Sequence, residues 1–388
     1  MVSVIIVSYK VKYYIEQVLR SLYRSNQEIE VFVVDNASGD DTIEYLSARY
    51  PDVHYIANSE NVGFGSANNQ ALKLAKGEYV LFLNPDTIVA ERTIEGCVNL
   101  MESDSEVGAI GVRMQYSDGH FAPESRRSVP TPFVSFCKMS GLGRLFPNSK
   151  LFARYHLSYI DKDMACNIEV VSGAYMFVRK AVLDKIGGFD ETFFMYGEDV
   201  DLSYRILKAG YRNCYLPLPV LHYKGESTTK TSYSYAKAFY DAMTIFFTKH
   251  YRHYSRFFTL LVKMVVGFQK FSTYIKNNLF NKDRAAMKLK SRALFAGNGA
   301  EFATIKNLVS KSRTIVDVDF LEADDLLKNQ GVPAAKIKEY DVVIYDTDCF
   351  SYNVMLDNMY SLDIHKTLLA TYNRESRTII TELEVIVL

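Results

Sequence analysis

Three carboxylates, Glu198, Asp199 and Asp201, fall within the stretch YGEDVDLSYR at residues 196–205. An aromatic run (Phe193, Phe194, Tyr196) precedes them, and an apolar pattern of helical spacing (Leu202, Ile206, Leu207) follows. A carboxylate beside like charges holds its proton more tightly, which suits a general base. Acidic residues also open ordinary helices, because a helix N-terminus carries partial positive charge. Asp201, two residues beyond Asp199, is assigned to that plainer role.

Other polar residues stand where apolar runs stop. Asp35-Asn36 closes one run; a carboxylate there can accept hydrogen bonds from a nucleobase or a ribose, or start a turn into Ser38-Gly39. In NVGFGSANN (61–69), Gly63 and Gly65 allow a ligand close to the backbone at a helix N-terminus. Asn68 and Asn69 lie one turn in, although a plain strand-to-helix turn uses the same glycines. Asp86 ends Asn84-Pro85-Asp86. A hard cation such as Mg2+ binds between one carboxylate and a substrate diphosphate, whereas the plain alternative is a turn. His222 also ends an apolar run and precedes Lys224, Ser227, Thr228 and Thr229. Metal or diphosphate contact and a structural role both fit it.

The elements that must position these residues alternate strand and helix. Strand-like runs at 2–8, 30–34, 53–57 and 78–83 are separated by helical patterns near 15–22, 40–49 and 65–74, which predicts a doubly wound α/β sheet. Ligands bind beyond the carboxyl ends of strands in such sheets. Ser8-Tyr9, Asp35-Asn36 and Asn84-Pro85-Asp86 all fall there. Residues 117–162 read as a loop-rich excursion with Pro123, Pro130, Pro132 and Pro147. A strand-like run at 169–179, a helix at 180–186, a strand at 215–222 and a polar loop at 224–231 follow.

From 235 to 292 there are twelve Lys/Arg against Asp241 and Asp283. Basic residues alternate there with Phe246, Phe247, Tyr251, Phe257, Phe258 and Phe268, a composition that suits either an anionic membrane surface or a packed helical hairpin with a solvated basic face. A second, small Rossmann-like α/β unit is expected from 291. Its Gly297-Asn298-Gly299 suggests a dinucleotide loop, but Phe302 replaces the third glycine of GxGxxG, so a docking appendage is favoured over an oxidoreductase site. The expected division is 1–234, a helical segment at 235–290, and 291–388.

The chain of 388 residues has no net charge, which points to no nucleic-acid partner. Its five cysteines are scattered without a CxxC pair, so neither a disulfide framework nor a zinc site is indicated. No charged segment precedes the apolar run at 2–8, and the run at 257–268 is too short to span a bilayer and contains Lys263. A cytoplasmic location, with peripheral attachment to the inner membrane face, is the expectation.

VSVIIVSY, VVDNASGDDT, NVGFGSANNQAL, YVLFLNPDT, VSGAYMFVRKAV, GGFDETFFMYGEDVDLSYRILKAGY and LHYKGEST occur in this order. Together they resemble the family 2 glycosyltransferases of GT-A fold, most of all the bacterial rhamnosyltransferase-like members, over about residues 1–250. That resemblance implies transfer of a sugar, with inversion, from a nucleoside-diphosphate donor such as dTDP-rhamnose or a UDP-sugar, using Mg2+ or Mn2+. It implies a glycan or lipid-linked acceptor in cell-surface polysaccharide synthesis. It makes Asp35 the nucleoside-binding aspartate, Asp86 the metal-binding end of the DxD motif, Asp199 the general base and Glu198 its acceptor-orienting neighbour. His222 resembles a late histidine that touches metal or diphosphate. Ser8, Tyr9, Asn36, Gly63, Gly65, Asn68 and Asn84 complete the expected donor site. Asn84 departs from the family pattern, standing where the first DxD aspartate would be. The other reading is a non-catalytic, nucleotide-sugar-binding or scaffold subunit of a glycan-assembly complex.

Overall fold

A computed structural model describes residues 1–223, 233–251, 291–362 and 366–388 of the chain. The polar loop expected at 224–231 and residues 252–290 of the basic aromatic segment lie outside the described residues.

The first apolar run forms β1 (Val2–Ser8), buried along its whole length because both faces are covered. It pairs in parallel with β2 (Ile29–Asp35) and with β4 (Tyr79–Leu83), and β3 (His54–Ala57) adds beyond β2. Helices α1 (Lys12–Leu22), α2 (Thr42–Ser47) and α3 (Phe64–Leu72) make the crossovers. Beyond β4 the sheet becomes mixed. It continues through β5 (Thr87–Val89), β6 (Val107–Gln115), β7 (Cys166–Ile168), β8 (Tyr175–Arg179) and β9 (Arg212–His222) in the order β3-β2-β1-β4-β8-β6-β9-β5, with β7 on β9. Only Tyr175–Arg179 of the run expected at 169–179 is a strand. Residues Ser172 and Gly173 instead leave the sheet beside the acidic stretch. Helices α4 (Thr93–Ser103), α5 (Pro132–Met139), α6 (Leu142–Leu145), α7 (Lys180–Ile186), α8 (Glu198–Lys208) and α9 (Tyr233–His250) complete this part, α5 and α6 lying in the excursion read as irregular.

A second, six-stranded sheet comprises β10 (Ser291–Gly297), β11 (Ile315–Glu322), β12 (Val342–Asp346), β13 (Leu368–Asn373), β14 (Thr378–Ile380) and β15 (Val385–Val387), in the order β11-β10-β12-β13-β14-β15. Four of these strands are parallel, and the last two are antiparallel. One hydrophobic core joins the two sheets: Val4, Ile6 and Leu81 of the first and Leu294, Val343 and Leu369 of the second enclose Ile15, Val18 and Leu19 of α1. A separate cluster on the outer face of the first sheet takes in Ala67, Val182, Leu202 and Ile206. Helix α1 is therefore a shared layer, which explains why Glu16, Gln17 and Ser21 are buried along with its apolar stripe.

The glycine turn after β10 does not form an open phosphate cradle. The Gly299 N–H donates to Glu322 Oε2 at 3.1 Å and the Asn298 N–H to Asp346 Oδ2 at 3.4 Å, so carboxylates take the donors a phosphate would need. Among the described residues, no helix is long and apolar enough to cross a membrane.

Candidate active site

A cleft of about 680 Å3 opens at the carboxyl ends of β1, β2 and β4; its lining includes Tyr9, Asn36, Asn84, Asp86, Glu198, Asp199 and His222. The two acidic stretches, more than a hundred residues apart in sequence, thus meet in one cavity. Asp86 and His222 come together because β5 runs antiparallel to β9, with Thr87 opposite His222. The imidazole Nε2 lies 3.4 Å from Asp86 Oδ1 and 3.4 Å from the Asn84 amide, and its Nδ1 is buried without a partner among the described residues.

Glu198 and Asp199 open α8. The turn before them passes through two residues of positive φ, Tyr196 at 68° and Gly197 at 81°. A tyrosine is rarely held there unless its surroundings over-determine it. Asp199 sits so close to the 172–174 turn that a Cβ on Gly173 would lie 3.3 Å from its own Cβ. Its carboxylate accepts from Gly173 N–H at 3.1 Å, Val200 N–H at 2.8 Å and the Arg127 guanidinium at 2.5 Å. Two carboxylate oxygens offer about four acceptor positions, so roughly one remains for a ligand. Arg127 is only partly exposed, at 13% of its side chain; burial works against its charge, and Asp199 more than restores it. Glu198 differs from its neighbour. Burial, reinforced by the charge of Asp199, pushes its carboxyl up to about 8, and its Oε2 has no partner among the described residues. Asp201 is fully buried and faces away from the cleft. Burial alone would raise its carboxyl, but His250 at 2.7 Å, Lys249 at 2.8 Å and Arg205 at 2.7 Å hold it well below the usual range. It fastens α9 to α8.

The remaining expected donor residues are placed differently. Asp35 is buried and caps its own turn, accepting from the Ser38 N–H at 3.1 Å and from the Ser38 hydroxyl. Ser8 is fully buried at the end of β1. Asn36 lines the cleft and organises its floor, donating to Asn61 Oδ1 at 2.9 Å and accepting from Val62 N–H at 3.1 Å. Gly63 and Gly65 pack against protein: a Cβ on Gly63 would come 2.8 Å from the Phe194 carbonyl, and one on Gly65 3.2 Å from Phe189. Asn68 is buried and bonds the Phe64 carbonyl of its own helix at 2.9 Å.

The sequence reading did not mark Tyr116, Glu124, Arg127, Lys138, Tyr155 and His156, which the 117–162 excursion and the end of β6 contribute to the same cleft. The Lys138 ammonium sits 3.6 Å from the centre of the Tyr155 ring. Burial, helped by Lys138, pushes His156 down to about 4, so it is neutral at physiological pH. The adjacent arginines Arg126 and Arg127, within a proline-rich loop, were the one signal available.

No metal-binding cluster of three or more His, Cys, Asp or Glu exists among the described residues. Asp86 and His222, 3.4 Å apart, offer two candidate ligands, a number suited to a cation whose other ligands are substrate oxygens.

The mixed sheet, with its cleft at the strand ends and two acidic sites inside it, is a GT-A-type fold. Residues 3–187 match the sequence profile of Glycosyl transferase family 2. It is 29% identical over 256 residues to an N-acetylglucosaminyl-diphospho-decaprenol L-rhamnosyltransferase of Mycobacterium tuberculosis, covering 63% of this chain and 82% of that one. It is 28% identical over 235 residues to the rhamnosyltransferase WbbL of Escherichia coli K12, covering 58% and 83%. Among solved structures, a mannosyltransferase from Pyrobaculum calidifontis, in complex with GDP-Man and Mn2+, is similar over 74% of this chain and 77% of that one, at 20% identity and a TM-score of 0.48.

Proposed function

We propose that this protein transfers a sugar, with inversion, from a nucleoside-diphosphate donor to a hydroxyl of a saccharide acceptor in cell-surface glycan synthesis. The observation that carries this is the meeting of Asp86/His222 and Glu198/Asp199 in one cleft. Inversion requires attack in line with the departing diphosphate, so the base and the diphosphate site must come from different parts of the chain. Asp86 and His222 form the diphosphate end, where a bound Mg2+ or Mn2+ would supply charge neutralisation for the leaving group. Asp199 takes the acceptor proton through its remaining acceptor position, and Arg127 with the Gly173 and Val200 N–H groups fixes its orientation. Glu198, whose carboxyl is pushed toward its protonated form by burial and by the charge of Asp199, orients the acceptor. The Mycobacterium tuberculosis and Escherichia coli relatives, both named as rhamnosyltransferases, favour a deoxyhexose donor and, in the first case, a diphospho-lipid-linked acceptor. A basic aromatic segment at 235–292 would hold the enzyme against an anionic membrane beside such an acceptor.

The test is hydrolysis and transfer over a panel of dTDP-, UDP- and GDP-sugars, with and without Mn2+. Turnover of one donor is expected. Donor binding with no turnover across acceptors would leave the non-catalytic scaffold reading in its place.

A further inference from the structure

We infer that the C-terminal sheet is a positioning element of the active site, acting through one buried hydrogen-bonded node made by Gln17, Tyr223 and Thr371. This rests on the assignment of Asp86 and His222 to the diphosphate end. Tyr223 follows His222 directly, and its N–H donates to the Asp86 carbonyl at 3.1 Å, so its placement sets both residues. Its side chain points into the layer between the sheets. The ring packs edge-on against Tyr14 at 5.5 Å, and the hydroxyl accepts from Gln17 Nε2 at 3.2 Å. The same Nε2 donates to Thr371 Oγ1 on β13 at 2.6 Å. All three residues are buried, Gln17 at 5%, Tyr223 at 2% and Thr371 at 3% exposure. Two flanking bonds hold the layer in register: Tyr14 donates to the Thr381 carbonyl at 3.1 Å, and Val89 N–H on β5 donates to Ser21 Oγ of α1 at 3.2 Å.

Burying an amide between two apolar sheets costs free energy; Gln17 places its N–H donors on Tyr223 and Thr371, while its Oε1 has no partner among the described residues. An apolar side chain would fill the same volume, so the use of a forked donor here specifies geometry. Its output is the orientation of the strand end carrying Asp86 and His222, much as outer-shell partners orient metal ligands. The docking of the C-terminal sheet is also served by pairs such as Arg92–Asp357, half exposed and sharing no hydrogen bond with the node residues.

The test is calorimetric binding of inorganic pyrophosphate with Mn2+ to the full chain, a probe independent of base, sugar and turnover. Thr371→Val and Gln17→Met should each weaken it about tenfold. His222→Ala should remove it, and Arg92→Ala should leave it unchanged. Should Gln17→Met fail to fold, Thr371→Val, a near-isosteric change, decides alone. Binding lost in His222→Ala but kept at wild-type strength in the node variants would overturn the positioning role and spare the diphosphate assignment. Wild-type strength in His222→Ala, or no binding by the wild type, would remove the diphosphate assignment and the node's role with it. Equal weakening by Arg92→Ala would show that any loosening of the interface suffices, and the node would lose its special place.

Discussion

Glu198 makes the stability of this protein depend on pH in a way that can be isolated. Its carboxyl is held up to about 8 from an ordinary 4.5, first by burial and then by the charge of Asp199. One pKa unit corresponds to ~1.4 kcal/mol, so ionising Glu198 in the folded state costs on the order of 5 kcal/mol. The sign follows from proton counting. Between pH 4.5 and 8 the folded chain keeps a proton that the unfolded chain releases, so stability falls as pH rises through this window, by ~1.4 kcal/mol per unit, and levels off above it. Glu198→Gln is neutral at every pH and lacks this slope. Urea unfolding of both proteins from pH 5 to 9 therefore should show the variant gaining on the wild type by roughly 4 kcal/mol between pH 5 and 8, while the contributions of other groups cancel in the difference. A gap that stays constant with pH would refute the buried, proton-holding Glu198. Because Asp199 supplies part of the shift, Asp199→Asn should move the sloping window to lower pH.

Three further outcomes follow. Gly197→Ala places a Cβ at φ +81° and 3.2 Å from Ala242 and Phe193, which should cost ~1–2 kcal/mol and lower turnover by displacing the start of α8; thermal melting and kcat read both. Asp201→Asn strips a fully buried carboxylate from Arg205, Lys249 and His250, and ~3–5 kcal/mol of stability should go with it; an unchanged melting temperature would show that the cluster does not hold α9. The full chain should float with liposomes containing phosphatidylglycerol and release in high salt, because salt screens the attraction between basic residues and anionic headgroups; a protein that stays in the soluble fraction contradicts the membrane role.

What could be read from sequence, and what could not, divides along physical lines. Strands covered on both faces must be continuous apolar runs, so Val2–Ser8, Ile29–Asp35 and Tyr79–Leu83 stand out, and the polar residues that end them fall at the cleft by topology alone. Arg127 could not be placed: its partner Asp199 is 72 residues away, and nothing local in a proline-rich loop announces a long-range pair. The glycines of NVGFGSANN announce close approach but not its object, which is the Phe189–Phe194 region of the protein itself. The buried polar face of α1 has the same character, since Gln17 finds Thr371 only after 354 residues. Strand β6, VGAIGVRMQ, escaped notice because two glycines and an arginine interrupt its apolar pattern.

The central claim is that Asp199 takes the acceptor proton while Asp86 and His222 hold the diphosphate end. Its most direct test pairs single-turnover transfer with calorimetric donor binding for Asp199→Asn, using the donor found active with the wild type and confirming by thermal melting that the variant is folded. Transfer should fall by about 10²–10⁴-fold while the donor Kd stays within about twofold. A folded variant that keeps a substantial share of wild-type transfer would contradict the assignment, and the base would have to be sought elsewhere in the cleft, first at Glu198.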